Sequence, residues 1–267
     1  MPEGTCYTGG VYMAFIQASF FSKALGTAST LWALIPEDAA GDIRVLTLLH
    51  GYSDDHTIWL RRTALERYTY GQDLAVIMPA VDHSYYCDEK RGRPYWDYVS
   101  RELPEVTEKL FRLAPGREGN FVAGLSMGGY GAMRLALTFP ERYAAAGSFS
   151  GAVDIRRMAA RKSDDAQRIF GGEDPALSGA DLYALMKMNA SRPLRPRLYL
   201  SCGTEDFLYG EHRAFWPAIE ENGWDVTHRE IPGRAHEWAL WDDEVRRFID
   251  LIAPKKMDPG RTKTAGR

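Results

Sequence analysis

The sequence predicts an α/β protein with a mostly parallel central sheet and helices packed on both faces of that sheet. Short and almost continuous apolar runs, such as residues 44–49 and 74–79, are typical of strands that are buried on both sides. Helical segments lie between these runs, and this alternation indicates parallel strands joined by helices. The chain has 267 residues, of which 45% are hydrophobic, so it is long enough to bury a substantial core in one domain.

The predicted elements follow one another from residue 13. Strands are expected at 13–21, 29–35, 44–49, 74–79, 120–123, 143–150, 197–202 and 225–231, with the first two forming a hairpin. Helices are expected at 57–67, 95–111 with an interruption near Pro104, 130–137, 211–223 and 237–252. Residues 152–190 are mostly helical and too long for a simple connection between a strand and a helix. A single domain over 13–253, an N-terminal extension at 1–12 and a disordered basic tail at 254–267 complete the prediction.

Charge and hydropathy exclude several classes of partner. The formal net charge is -3 and the sequence pI is about 6.1, which argues against a nucleic-acid partner. No apolar stretch reaches the roughly 18 residues that a membrane-spanning helix needs. Residues 11–21 are apolar, but Glu3 and no Lys or Arg precede them, so a first strand is favoured over a signal segment. A cytoplasmic protein is therefore expected, with Met13 as an alternative start to Met1.

The composition shows no cofactor or metal motif. Cys6, Cys87 and Cys202 form neither a disulfide framework nor a Cys-x-x-Cys pair, and Cys202 is expected to be an inert buried thiol. The acidic and histidine residues at 54–56 lack a second cluster with ligand spacing, so a solvated loop is favoured over a metal site. The glycine pairs at 9–10 and 171–172 lack the ending of a phosphate-binding loop.

A Gly-x-Ser-x-Gly motif surrounds Ser126, between the apolar run 120–123 and the predicted helix 130–137. A strand, this turn and a helix together describe a nucleophile elbow, in which the serine hydroxyl stands clear of the sheet. The alternative is a glycine-rich connection without chemistry. A serine hydroxyl is a poor nucleophile by itself, so it needs a base and a carboxylate that orients the base.

His236 is the predicted base. It lies in the loop 232–237, directly after the last predicted strand and before the last helix, where this architecture places the histidine. His212, within a charged helical segment, is expected to be exposed, and His228 is expected to lie at the surface of a strand. A loop histidine that only caps a helix is the alternative for His236.

Asp206 is the predicted acid, since it follows the strand 197–202. Glu205 is the second candidate in the same loop, and Asp154 follows the preceding strand, in a less suitable place. The alternative for Asp206 is a cap on the helix that begins near Leu208. The chosen carboxylate would stabilise the imidazolium that forms during acyl transfer.

An oxyanion hole is expected from the backbone N–H groups of Met127 and Tyr52. Met127 follows the nucleophile, and Tyr52 follows the strand 44–49, which matches the two positions that donate in this architecture. Gly51 permits a close approach of the backbone to a substrate. His50, at the end of the strand, is expected to be structural.

With these residues in place, the sequence resembles the esterase D family of α/β-hydrolases, in particular its bacterial tributyrin esterases and related acetyl esterases. The stretches that carry the resemblance are 13–17, 48–52, 59–63, 102–104, 124–132, 202–208 and 236–238. The resemblance implies an α/β-hydrolase fold, with residues 152–190 as an insertion beside the active site. Met158, Leu182, Met186 and Met188 are then either packing residues or a small cap.

By resemblance, Ser126 is the nucleophile, Asp206 the acid and His236 the base, with Tyr52 and Met127 at the oxyanion positions. The resemblance implies hydrolysis of short acyl esters, including acetyl groups on sugars, whereas relatives hydrolyse S-formylglutathione, release feruloyl groups or transfer mycolyl chains. A small-molecule ester is the expected partner, and a homo-oligomer is left open. Trp59 and Trp238, with Gly51, are expected in the substrate pocket, although these tryptophans and Trp96 also suit a core. Tyr52 is larger than the residue that many members have here, and its side chain is expected to narrow the acyl pocket.

Overall fold

A computed structural model describes residues 12–37, 43–113, 115–161 and 163–253, and these ranges form one sheet of eight strands with helices on both faces. The strands are β1 (Met13–Ser22), β2 (Thr27–Pro36), β3 (Arg44–Leu49), β4 (Leu74–Pro79), β5 (Asn120–Leu125), β6 (Ala145–Phe149), β7 (Arg197–Gly203) and β8 (Val226–Ile231). Their order is β1-β2-β4-β3-β5-β6-β7-β8. The first two pairings, β1 with β2 and β2 with β4, are antiparallel, and the others are parallel. The predicted fold class is confirmed.

The helices alternate with the strands as the sequence predicts. They are α1 (Ile58–Arg62), α2 (Leu65–Thr69), α3 (Tyr95–Asp97), α4 (Leu103–Phe111), α5 (Met127–Thr138), α6 (Ile155–Ala159), α7 (Asp164–Phe170), α8 (Leu182–Met188), α9 (Tyr209–Glu221) and α10 (Trp238–Ile252). The predicted extension and basic tail lie outside the described residues, apart from Tyr12. Helices α6, α7 and α8 belong to the insertion at 152–190.

Two helix predictions differ from the structure in detail. The single helix expected at 57–67 is divided into α1 and α2, and the carboxylate of Asp242 accepts the N–H of Ala64 between them, at 3.1 Å. The segment 95–111 is helical throughout, but a wider π-helical turn at Tyr98–Glu102 joins α3 to α4. Pro104 has no N–H for the usual bond to the carbonyl of Ser100, and the guanidinium of Arg142 donates to that carbonyl instead, at 2.5 Å.

Apolar layers on both faces of the sheet explain the continuous apolar runs in the sequence. In β3, Leu46 and Leu48 pack in the layer with α1, α2 and α10, whereas Val45 and Leu49 pack in the layer on the opposite face. In the central strands β4, β5 and β6 nearly every residue is therefore buried whichever side it points to, and alternation with polar residues disappears. Because β3 and β5 to β8 run parallel, the loops that follow them meet at one edge of the sheet. Every residue predicted to carry chemistry lies in these loops or at their ends.

Candidate active site

Ser126 lies in a strained turn between β5 and α5. Its φ is 52° and its ψ is -117°, a conformation that L-residues rarely adopt. The backbone around it is packed so closely that side chains are excluded at two neighbouring positions. A Cβ at Gly124 would lie 2.5 Å from the backbone of Gly128, and a Cβ at Gly128 would lie 2.4 Å from the carbonyl oxygen of Leu49. The glycines of the motif therefore allow β3, β5 and α5 to approach one another beneath the serine.

Ser126, His236 and Asp206 form one line of hydrogen bonds. His236 Nε2 lies 3.1 Å from the Oγ of Ser126, and His236 Nδ1 lies 2.9 Å from Oδ2 of Asp206. The Asp206 side chain is fully buried, and its Oδ1 also accepts the N–H of Leu208, at 2.8 Å. The structure thus brings together three residues that are separated by 80 and 30 positions along the chain.

The carboxyl of Asp206 stays ionised in spite of its burial. Desolvation raises its pKa, but the hydrogen bonds from His236 and from the Leu208 N–H outweigh this effect, and the pKa falls below its usual value. The neighbouring Ser150 hydroxyl acts in the same direction, and it also accepts the indole N–H of Trp241, at 3.1 Å. Asp206 is therefore a fixed negative charge behind the imidazole at neutral pH.

The other acid candidates occupy different surroundings. Glu205 is exposed on the same loop as Asp206. Asp154 lines the cleft, but its carboxylate pairs with Arg156 at 3.0 Å and with Arg157 at 3.8 Å. Of the three carboxylates, the structure places Asp206 against His236.

A cleft of about 550 Å³ opens above Ser126. Gly51 and Tyr52 line it from the loop after β3, and Trp238 lines it from the start of α10. Gly51 is pressed against the core, since a Cβ there would lie 2.5 Å from Leu125 Cδ1. Met127 is the first residue of α5, with its side chain fully buried.

The prediction that Trp59 lines the substrate pocket is wrong. Trp59 is completely buried, and its indole N–H donates to the carbonyl of Leu49, at 3.0 Å. It supports the pocket from below, because its ring packs edge-on against Trp238 at 5.4 Å. Trp96 is also a packing residue, stacked on Phe139 at 6.0 Å.

The histidine predictions are partly wrong. His212 was expected to be exposed but is 1% exposed, because it shares the inner face of α9 with Phe215 and Ile219. Burial lowers the pKa of His212 to about 4. His228 is half-buried on the edge strand β8, where its ring stacks on that of Trp216 at 3.9 Å.

His50 is structural, as predicted. Its Nε2 accepts the N–H of Val81 at 3.1 Å, and its Nδ1 lies 2.8 Å from the carbonyl oxygen of Gly51. Burial lowers the pKa of His50 to about 4, so the ring is neutral. The imidazole thereby fixes the start of the loop that carries Tyr52.

Several residues that line the cleft were not predicted from the sequence. They are Tyr85, Arg161, Asp165, Phe207, Glu211 and Trp241. Phe207 is 73% exposed, and its ring lies 4.5 Å from that of His236. The sequence feature that points to Phe207 is an aromatic residue directly after the predicted acid.

The remaining predictions concern the insertion and the thiols. Leu182 and Met186 are packing residues, Met158 is buried and also lines the cleft, and Met188 is 69% exposed. Cys202 is fully buried, as predicted, and burial raises the pKa of its thiol to about 12. Within the described residues, no group of three or more candidate ligands is placed to hold a metal, and no helix is long and apolar enough to cross a membrane.

Serine hydrolases of the α/β-hydrolase class combine this sheet with a serine on a strained strand-to-helix turn. The chain belongs to the esterase family, because the family model described as "Putative esterase" matches residues 22–254. An acetyl esterase of Caldicellulosiruptor saccharolyticus is 30% identical over 263 residues, which cover 90% of this chain and 98% of that protein. The chain is therefore a serine esterase that acts on carboxylic esters.

Solved structures agree with this assignment. A fluorophosphonate-binding serine hydrolase of Staphylococcus aureus has a TM-score of 0.83 and 31% identity, covering 90% of this chain and 98% of that one. An S-formylglutathione hydrolase from the same organism has a TM-score of 0.80 and 32% identity, with coverage of 90% and 99%. By sequence comparison, the S-formylglutathione hydrolase of Paracoccus denitrificans is 34% identical over 152 residues, which cover 48% of this chain and 54% of that protein.

Proposed function

We propose that this esterase hydrolyses short-chain acyl esters, from acetyl to butyryl, with Ser126 as nucleophile, His236 as base and Asp206 as the orienting acid. The observation that carries the proposal is the continuous line of hydrogen bonds from the Ser126 hydroxyl through the imidazole to a buried carboxylate. This arrangement supplies both a proton acceptor for the serine and a counter-charge for the imidazolium.

In the first half of the reaction, Ser126 Oγ attacks the ester carbonyl while His236 Nε2 takes the hydroxyl proton. The carbonyl oxygen becomes an oxyanion, which the backbone N–H groups of Tyr52 and Met127 are proposed to bind. His236 then gives its proton to the departing alcohol, and an acyl-Ser126 ester remains. In the second half, water attacks that ester with His236 as the base, which releases the acid and restores the hydroxyl.

The dimensions of the cleft favour a small acyl group on a larger alcohol. An acetyl group fills only a small part of about 550 Å³, and the lining beside His236 carries the carboxylate of Asp54 and the rings of Phe207 and Trp241. Such groups suit the hydroxyls of an acetylated carbohydrate, and the similarity to an acetyl esterase supports the same class. Feruloylated carbohydrates, which carry a larger acyl group, are a further substrate class under this proposal.

The direct test replaces Ser126→Ala and measures p-nitrophenyl acetate hydrolysis. We expect kcat to fall by about three orders of magnitude or more, since nucleophile and base act as a unit. Ser19→Ala, an exposed serine on β1, is the matched control and should retain full activity. Full turnover by Ser126→Ala would reject the proposal.

S-formylglutathione is the second candidate substrate, favoured by two similar S-formylglutathione hydrolases. The same residues would cleave a thioester, with the thiol as leaving group. Comparison of kcat/KM for S-formylglutathione and for an acetylated sugar decides between the two. Transfer of the acyl group to an added sugar acceptor would instead identify an acyltransferase.

A further inference from the structure

The side chain of Tyr52 reaches across the cleft to the insertion. Its hydroxyl donates a hydrogen bond to the carboxylate of Asp165, in the first turn of α7. Its ring stacks on His83 at 4.2 Å, with the planes 20° apart. The bond to Asp165 also raises the pKa of Tyr52 to about 12, so the phenol remains a donor at neutral pH.

Asp165 is held in place by its own neighbours. Arg168 pairs with Asp165 and, at 2.8 Å, with Glu89 of the loop after β4. Arg168 also donates to the carbonyl of His83 at 3.1 Å. Backbone bonds from Lys90 to Ile169 and from Arg91 to Arg168, at 3.1 and 3.0 Å, join the same loop to α7. The carboxylate that receives Tyr52 is therefore fixed from two directions.

The position of His236 indicates which end of the cleft this contact closes. The leaving alcohol must depart beside His236, because the imidazole gives it a proton. Phe207 and Trp241 contact the His236 ring at 4.5 and 4.8 Å and thus form the alcohol side. The acyl chain must occupy the remaining direction from the carbonyl carbon, away from the imidazole.

The lining on that remaining side suits an acyl chain. Tyr85 and Met158 line the cleft and are 9% and 6% exposed. The Tyr85 ring lies 5.9 Å from that of Tyr52. These two side chains offer apolar surface, and the charged side chains of Arg161 and Glu211 line the same part of the cleft near Tyr85. The Tyr52–Asp165 bond lies beside Tyr85, so an acyl chain that extends along this surface would meet it.

We propose that the Tyr52–Asp165 hydrogen bond is the end wall of the acyl pocket and sets the longest acyl chain that this esterase accepts. The inference rests on the proposed function of Ser126 and His236. Because the bond joins a side chain of the loop after β3 to a side chain of the insertion, both segments together set the longest acyl chain that fits. Each further methylene that the pocket admits contributes about fourfold to kcat/KM, so an opened wall has a measurable effect.

The experiment measures kcat/KM for p-nitrophenyl esters from acetyl to octanoyl in Tyr52→Phe, Asp165→Ala and the double variant. We expect the octanoyl-to-acetyl ratio to rise about tenfold or more in each single variant. The double variant should show no more than the larger single effect, because both remove the same bond. Asp164→Ala, an exposed carboxylate on the same turn, is the control and should leave the ratio unchanged.

A second series keeps the acyl group as acetyl and varies the size of the alcohol. Unchanged acyl ratios, additive single effects, or a change confined to the alcohol series would each overturn the proposal. Failure of the proposed function gives a different result, since Ser126→Ala would then keep its turnover with acetyl esters. Thermal unfolding of each variant shows whether it is folded, and the ratio of two substrates on one preparation is independent of the folded fraction.

Discussion

The two walls of the cleft are stabilised by different kinds of interaction. The wall that carries Ser126 consists of strand ends, with backbone packed against backbone at Gly124 and Gly128. The opposite wall comes from the insertion, whose inner apolar side chains are buried in the core but whose contact with Tyr52 and the loop after β4 depends on ion pairs and hydrogen bonds of Asp165 and Arg168. Close packing tolerates little change, whereas partly exposed ion pairs contribute little and weaken with salt. The proposed catalytic residues Ser126, Asp206 and His236 thus lie on the rigid wall, and the insertion wall, which depends on side-chain contacts, is the one expected to determine substrate preference.

The largest expected effect is on the rigid wall. Asp206→Asn removes the charge that holds His236 but keeps the size of the side chain. We expect kcat for p-nitrophenyl acetate to fall by about 10³–10⁴, because the neutral amide favours the wrong tautomer of the imidazole. Glu205→Gln, the exposed neighbour, is the control and should stay within a factor of about two. Equal losses in both variants would contradict the assignment of the acid.

A single methyl group should break the packing beneath the serine. Gly128→Ala places a Cβ 2.4 Å from the carbonyl oxygen of Leu49, and the backbone on both sides has no room to move. We expect unfolding free energy to fall by about 3 kcal/mol, measured by denaturant titration. Gly210→Ala meets nothing within 4 Å and lies in α9, so the same substitution should be neutral or stabilising there. A loss of similar size at both glycines would contradict the packing argument.

Lowering the pH should reduce the free energy of unfolding because His50 is buried in its neutral form beside the rigid wall. Its folded pKa is about 4, below the unfolded value of 6.5. Between these values the unfolded chain binds more protons than the folded one, so this contribution to stability is present above pH 6.5 and is lost progressively towards pH 4. The loss amounts to about 3 kcal/mol at most.

His50→Gln removes this titration, and its side chain can still accept a hydrogen bond from Val81. We expect the stability of the variant to depend less on pH between 6.5 and 4 than that of the wild type, as measured by urea unfolding. Parallel curves over that window would show that His50 does not contribute.

The smallest effects belong to the insertion wall. Arg168→Ala leaves the carboxylate of Glu89 without a cation, and that side chain is 5% exposed. We expect a loss of about 1–2 kcal/mol. Lys90→Ala removes a pair with Glu173 whose side chains are each about half exposed, and it should change stability by less than about 0.5 kcal/mol. The melting temperatures of the two variants measure this difference. Equal melting temperatures would show that the buried pair with Glu89 contributes no more stability than the exposed pair with Glu173.

The same contrast explains what the sequence could predict. Strands that are buried on both faces give continuous apolar runs, and parallel strands deliver their following loops to one edge. Ser126, Asp206 and His236 could therefore be selected from their places after β5, β7 and β8. This reasoning uses only local sequence pattern and chain order, and these are sufficient to place the residues of the rigid wall.

The insertion wall depends on contacts between distant side chains. Nothing local shows that Tyr52 meets Asp165, which lies 113 positions away. Trp59 could not be separated from Trp238, since both are tryptophans near the same cleft and only packing decides which one is covered. The burial of His212 could have been predicted, because Phe215 and Ile219 follow it at helical spacing on one face of α9. The charged residues next to His212 favoured an exposed position instead.

The central claim is that an acyl group passes through the hydroxyl of Ser126, and mass spectrometry of the trapped intermediate tests it most directly. A rapidly acid-quenched reaction with p-nitrophenyl acetate, digested with trypsin, should show one added acetyl group on the peptide 118–134, in which Ser126 is the only serine. The same digest of Ser126→Ala should show none. An acetyl group on another residue of the wild-type enzyme during full turnover, with peptide 118–134 unmodified, would contradict the account.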